Sequence, residues 1–231
     1  MQGLLLVDKP AGWTSFDVVN YIRRIISNAE SVKPKAVKVG HAGTLDPFAT
    51  GLLVILVGKV WTRRASDFSG LDKIYQATMT LGLKSTTGDP EGELSTSMPA
   101  VKPDLADIES ALKQNMGKIM QTPPAFSAIK VGGIRAYKAA RAGEPLKLEP
   151  RQVEIKRLEL VNYNYPQLEL LSEVSSGTYI RSLVEDIAKT LKNEGYTSKL
   201  RRVSIGKFKL DDAVNIKDLT VDNIDKLLLE L

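Results

Sequence analysis

Gly40-His41-Ala42-Gly43-Thr44-Leu45-Asp46-Pro47-Phe48-Ala49-Thr50-Gly51 runs directly into Leu52-Leu53-Val54-Ile55-Leu56-Val57. The apolar run reads as a strand, and the stretch before it as the connection that feeds it. That connection holds the only histidine of the chain and a single carboxylate, with no lysine, arginine or glutamate. Pro47 biases Asp46 to an extended backbone, and the glycines let another segment approach closely. Two descriptions fit: a glycine-rich turn with Asp46 as its cap, or a loop that presents one carboxylate.

Outward from this stretch the elements can be placed. Leu4–Val7 and Val37–Val39 read as strands, and so does Ile74–Leu81, where polar and apolar residues alternate. Thr14 with Asp17 forms a capping box ahead of a helix whose apolar face is Val18, Tyr21, Ile22, Ile25 and Ile26. Thr86-Thr87-Gly88-Asp89-Pro90-Glu91-Gly92 is dense in turn formers. Asp104 opens a helix through Leu105, Ile108 and Leu112, closed near Gly117. Ile134–Ala142 reads as a short helix, and Gln152–Leu160 and Leu168–Val174 as strands joined through 162–166. A helix runs from Thr178 towards Asn193 with Gly195 as its stop. Leu200–Phe208 is a last strand, and a closing helix is expected. The irregular interleaving lacks a βαβ rhythm, which argues for an α+β fold over a doubly wound sheet.

Composition limits the chemistry. In 231 residues there is no cysteine and one histidine, which removes disulfides, thiolate nucleophiles and cysteine-ligated zinc, and argues against any metal site. Gly51 and Gly58-Lys59 lack the spacing of a phosphate loop, and Val60 stands where a magnesium-binding hydroxyl would be needed. The start is apolar, but no basic residue precedes it and the run ends at Asp8-Lys9-Pro10, so it reads as a strand and not a leader. No run is long enough to span a membrane. A cytoplasmic protein is expected.

The 32 basic and 27 acidic residues give +5, distributed unevenly. Residues 211–231 carry six acids and two lysines, net −4, so the preceding body is +9. Within that body 130–159 is +4, while 196–210 has five bases and no acid. Each run alone suits a solvated face, but several together suit a polyanion surface, with nucleic acid first.

Two further stretches stand out. In Ser175-Ser176-Gly177-Thr178-Tyr179-Ile180-Arg181-Ser182-Leu183, Arg181 falls in the first turn of a helix, where the dipole disfavours a cation. A carboxylate partner would explain it, and so would a plain surface arginine. Tyr75 lies on its strand as either a packing residue or a site residue.

Taken together these segments resemble the TruB-type tRNA pseudouridine synthases. The resemblance is carried by the 40–51 stretch and by Asp8-Lys9-Pro10-Ala11-Gly12, Lys73-Ile74-Tyr75, the 86–92 turn, Pro123-Pro124-Ala125-Phe126-Ser127-Ala128-Ile129-Lys130, the 177–183 stretch and Leu200-Arg201-Arg202, in the family's order. It covers about residues 3–210. It implies a pseudouridine synthase fold, with a mixed, mostly antiparallel sheet flanked by helices and loops. It further implies an isomerase that converts a T-loop uridine of tRNA to pseudouridine without cofactor or metal. Asp46 is then the nucleophile, with attack at the ribose and attack at the base both open.

By the same resemblance Tyr75 stacks on the uracil and takes part in the final proton removal, and Tyr179 lines the pocket. Arg181 is the expected ion-pair partner of Asp46, and Leu200 meets the base edge through its main chain. His41 fills the gap left in the T loop or stacks on extruded bases. Lys9 and Lys130 belong with the substrate pocket, Lys9-Pro10 shaping its floor. The partner is the T-arm stem-loop of tRNA, with no membrane, no obligate protein partner and a monomer expected.

The family's Ala-Thr-Lys is here Val60-Trp61-Thr62-Arg63, and its Cys-Ser-Lys is Val174-Ser175-Ser176. The whole of 1–231 is expected to be one catalytic domain ending in the acidic tail 211–231, without the PUA-type RNA-binding domain that relatives often carry. A tRNA-folding protein with secondary or silent catalysis is the alternative, and a small-molecule hydrolase using Asp46 a weaker one.

Overall fold

A computed structural model describes residues 1–33, 38–96 and 100–229. The chain forms two compact units, Met1–Tyr75 with Leu200–Leu231, and Gln76–Lys199. In chain order the first unit contributes β1 (Gly3–Lys9), α1 (Ser15–Ala29), β2 (Val39–Ala42), β3 (Thr50–Val57), α2 (Lys59–Arg63), α3 (Ala65–Ser69) and the start of β4 (Lys73–Leu81). The second contributes β5 (Lys84–Ser85), β6 (Leu94–Ser95), α4 (Leu105–Gln114), β7 (Gly117–Gln121), β8 (Lys130–Val131), β9 (Ile134–Arg135) and α5 (Ala136–Arg141). It continues with β10 (Arg151–Asn164), β11 (Gln167–Val174), α6 (Ile180–Thr190) and the first part of β12 (Gly195–Ile205). The first unit then closes with β13 (Phe208–Lys209) and β14 (Val214–Asn215).

In the first unit the strand order is β14-β1-β3-β12, with β2 on β3 and β13 on β12. β1 and β3 are antiparallel with Leu5 opposite Ile55, and β14 and β12 join in parallel, Val7 opposite Val214 and Arg201 opposite Thr50. β1 and β3 are continuous apolar runs because both faces are covered. Leu5, Val7, Leu53, Ile55 and Val57 meet Val18, Val19, Ile22, Ile25 and Ile26 of α1. On the other side Leu4, Leu6, Leu52, Val54 and Leu56 meet Trp61, Phe68, Ile205 and Phe208. α1 starts at the expected capping box: Asp17 N donates to Thr14 Oγ1 (3.1 Å) and Thr14 N to Asp17 Oδ2 (2.9 Å).

The second unit orders its strands β12-β4-β11-β10-β7. β10 pairs antiparallel with β11, Leu160 opposite Leu170, and with β7, Val153 opposite Ile119. α4 begins at its own capping box, Asp104 with Asp107, and lies against β10 and α6. The result is α+β, with mixed but mostly antiparallel pairing. Among the described residues no helix is long and apolar enough to cross a membrane.

Four expectations need correction. The closing helix is replaced by 3₁₀ turns at Leu210–Asp212, Ile216–Asp218 and Ile224–Leu227. There Asn215 Oδ1 accepts from Lys217 N (3.0 Å) and Asn223 Oδ1 from Thr220 N (2.9 Å), offering the backbone alternatives to a helix. Ile216, Leu219 and Ile224 nevertheless enter the α1 side of the core. The helix expected from Ile134 begins at Ala136, because Ile134 pairs with Val131 in a hairpin.

α6 ends at Thr190 with Lys192 at φ 53°, so Gly195 does not stop it. Gly195 opens β12, where an added Cβ would sit 2.9 Å from that of Ala188. Last, the connection expected over 162–166 is shorter, because β10 continues to Asn164. The expected strand Val37–Val39 is seen from Val39, and Val37 lies outside the described residues.

Candidate active site

Between β2 and β3 the 43–49 loop is fastened at almost every second residue. At Leu45, N donates to Ser15 Oγ (2.8 Å) and O accepts from it (3.1 Å), a buried reciprocal pair. Pro47 O accepts from Gly12 N (2.9 Å) and from Lys9 Nζ (3.1 Å). Ala49 N donates to Asp46 O (3.1 Å), closing the turn that the Asp-Pro pair suggests. Asp46 thus stands half-buried between two pinned neighbours, with a carboxylate whose backbone has little freedom.

Lys9 is 0% exposed, and its ammonium also donates to Pro10 O (2.9 Å) and Trp13 O (2.6 Å). A buried cation with three carbonyl acceptors is satisfied as structure, and it braces the floor under Pro47. At the far end of the loop β12 approaches β3 at Gly51, where φ is 101° and an added Cβ would lie 2.3 Å from Arg202 O. Only glycine fits there. The Arg202 side chain donates from Nε to Leu52 O (2.8 Å) and from Nη2 to Gly43 O (3.0 Å).

The other expected residues of this unit gather around the same strands. His41, on β2 opposite Ile55, is held below the ordinary histidine pKa by burial and then by the Arg202 charge. It is therefore neutral at neutral pH, an aromatic surface and not a proton donor. Leu200 O accepts from Thr50 Oγ1 (3.5 Å), next to Arg201, which meets Asp8 Oδ2 at 2.7 Å. Two motifs distant in sequence are joined by that ion pair. Tyr75 is 7% exposed on β4. Lys73, two residues before it, donates to Ser69 O (2.8 Å) and Leu71 O, and burial, with Arg202 adding, lowers it to about 8.

In the second unit Arg181 is 3% exposed at the second position of α6. It donates to Thr87 O (2.7 Å) and Phe126 O (2.8 Å) and forms an ion pair with Asp89 (3.2 Å). This carboxylate accounts for a cation at a helix start, and the guanidinium ties the 86–92 turn to the 123–130 stretch. Asp89 also accepts from Glu91 N (3.0 Å), so the turn is built around it.

Tyr179, half-buried, caps α6. Gln121 holds its backbone at both atoms (2.8 and 3.1 Å), and Arg151 lies 5.2 Å from its ring centroid. Lys130 is exposed on β8, paired with Arg135. Val60-Trp61-Thr62-Arg63 forms part of α2 with Trp61 buried, and Ser175 Oγ accepts from Glu154 N (2.8 Å).

Sequence reading names Asp46, Tyr75, His41, Lys9 and Leu200, all in the first unit, and Arg181, Tyr179 and Lys130, all in the second. It misses Ser15, Arg202 and Asp89 as supports. Only Gly51, a glycine at a strand start, carries a local signal of close approach. Among the described residues no three metal-ligating side chains cluster. Chemically the first unit offers one oriented carboxylate, a neutral imidazole and a buried phenol, which suits nucleophilic attack by carboxylate.

Comparison with known proteins gives a consistent result. The model of the TruB family pseudouridylate synthase N-terminal domain matches residues 30–180. The tRNA pseudouridine synthase B of Flavobacterium johnsoniae is 39% identical over 213 residues, covering 92% of both chains. That of Thermobifida fusca is 40% identical over 229 residues, 96% of this chain and 75% of the relative. Among solved structures, a chain in a Cbf5–Nop10–Gar1 complex matches with TM-score 0.71 at 28% identity, over 95% of this chain and 54% of that one.

Proposed function

The chain belongs to the TruB family of pseudouridylate synthases, and we propose that it isomerises a uridine in the T loop of tRNA with Asp46 as nucleophile. Its fold is the pseudouridine synthase fold and its activity that of a tRNA pseudouridine synthase. The observation that carries the residue assignment is the loop itself. Pinning Leu45 and Pro47 fixes the backbone of Asp46, so attack needs little reorganisation.

The reaction conserves its atoms. Asp46 bonds to the target nucleotide, at the ribose or at the base, and the N1–C1′ bond breaks. The uracil turns in the pocket, C5 bonds to C1′, and the bond to Asp46 breaks to return the free carboxylate. One proton leaves C5 and one is taken up at N1. The target base must first leave its stack, at a cost that backbone contacts from the basic stretches offset. In this reading Tyr75 packs on the uracil and takes part in the removal of the C5 proton, and Tyr179 completes the pocket wall. His41 fills the stack vacated in the RNA as a neutral ring. Leu200 meets the base edge, and Lys130 contacts the RNA backbone. Arg181 is the ion-pair partner of Asp46 in the complex and keeps it ionised.

The protein is read as a cytoplasmic monomer, the whole chain serving as one catalytic domain. Incubating the wild-type protein with a T-arm stem-loop and mapping the product tests the target. Pseudouridine at a single T-loop position is expected. Product elsewhere, or tight binding without product, contradicts the proposal.

A further inference from the structure

Arg202 has no role in the reading above, yet it is among the largest fully buried side chains, at 1% exposure. Burying a guanidinium is costly unless its donors are satisfied in good geometry. Here Nε and Nη2 meet main-chain carbonyls, those of Leu52 and Gly43, at the two ends of the stretch that carries Asp46. Its own backbone is fixed against Gly51 by the parallel pairing of β12 with β3. A planar fork with several donors can reach two separated carbonyls at once, which an ammonium or an apolar side chain cannot do in the same way.

We propose that Arg202 is a positioning residue for the reaction: it closes the Asp46 loop by holding both ends and so sets where the carboxylate stands. This rests on the assignment of Asp46 as nucleophile. The loop is otherwise fastened at Leu45 and Pro47 by α1 and β1 elements, and β2 and β3 pair outside it with Ala42 opposite Val54. Just inside that pairing the Arg202 side chain links the entrance at Gly43 to the exit at Leu52. Its charge is also felt nearby, since after burial it is the next cause that lowers both His41 and Lys73.

The test compares wild type, Arg202→Met, Arg202→Lys and Asp46→Asn. The readouts are the single-turnover rate at saturating tRNA, Kd for tRNA, and the NMR titration of the one histidine in the chain. Arg202→Met is expected to slow turnover by about 100-fold, the loss that a 1 Å misplacement brings, with little change in Kd. Arg202→Lys should recover part of that rate. It should also keep the His41 midpoint low, whereas Arg202→Met raises it. A folded Arg202→Met at the wild-type rate, or a loss entirely in Kd, overturns the proposal. Should the methionine variant not fold, Arg202→Lys decides by itself. A slower rate at unchanged Kd supports the role, and a wild-type rate overturns it. Full activity in Asp46→Asn would instead overturn the nucleophile assignment, so the two failures are distinguishable.

Discussion

Arg181 and Arg202 are both buried arginines beside expected site residues, but they are held in different ways. Arg181 in the second unit has two carbonyls and the Asp89 carboxylate, whereas the donors of Arg202 in the first unit meet the carbonyls of Gly43 and Leu52. An ion pair with little exposure on either side makes each partner depend on the other. A cation met by main-chain carbonyls depends on the backbone holding its shape. The second unit is therefore vulnerable to the loss of a charge and the first to the loss of a backbone path.

The largest effect expected from that contrast is at Arg181. Arg181→Ala leaves Asp89 buried without its cation, so stability should fall by about 3–5 kcal/mol. In protein that remains folded, product formation should drop by roughly 10²–10³-fold while tRNA binding persists. Denaturant unfolding beside a turnover assay checks both, and near-normal turnover would remove Arg181 from the chemistry.

The corresponding break in the first unit needs no charge at all. Gly51→Ala places a Cβ 2.3 Å from Arg202 O at a backbone φ of 101°. It should cost at least about 2 kcal/mol by parting β12 from β3. Unfolding of this variant at wild-type denaturant concentrations would show that the close approach is dispensable.

The smallest effect sharpens the contrast through pH. Lys73 is lowered to about 8 from the ordinary 10.5, so between those values the unfolded chain binds more protons than the folded one. Stability contributed through this group is therefore lower below pH 8 and rises as pH climbs towards 10.5. Melting curves should show wild type gaining on Lys73→Met between about pH 7.5 and about pH 9.5. A constant difference would mean that the ammonium is not desolvated as its burial implies.

What the sequence reveals divides along the same line between local and distant. The capping box at Thr14, the helix start at Asp104 and the apolar face of α1 are legible because each is written within a few residues. The strands β1 and β3 are equally legible, being continuous apolar runs. The two-residue strands of the β8–β9 hairpin are too short to show a period, and the 3₁₀ turns near Ile216 and Ile224 share their apolar content with a helix.

In the site, Asp46 stands out through its glycine-rich setting, and the place of Arg181 at a helix start raises a carboxylate partner as one of two explanations. That the carboxylate within its unit is Asp89 could not be read, since 92 residues of chain separate the two. Ser15 and Arg202 are likewise silent, for their partners lie 30 and 150 residues away. Hydrogen bonds to main-chain carbonyls leave no trace in the partner's residue type.

The most direct trial of Asp46 as the nucleophile of a tRNA pseudouridine synthase is a single-turnover comparison of wild type and Asp46→Asn on the same tRNA, with the product mapped to its nucleotide. Wild type is expected to give pseudouridine at one T-loop uridine, and Asp46→Asn to bind the tRNA and yield none. Product from Asp46→Asn at a rate near that of wild type would contradict it.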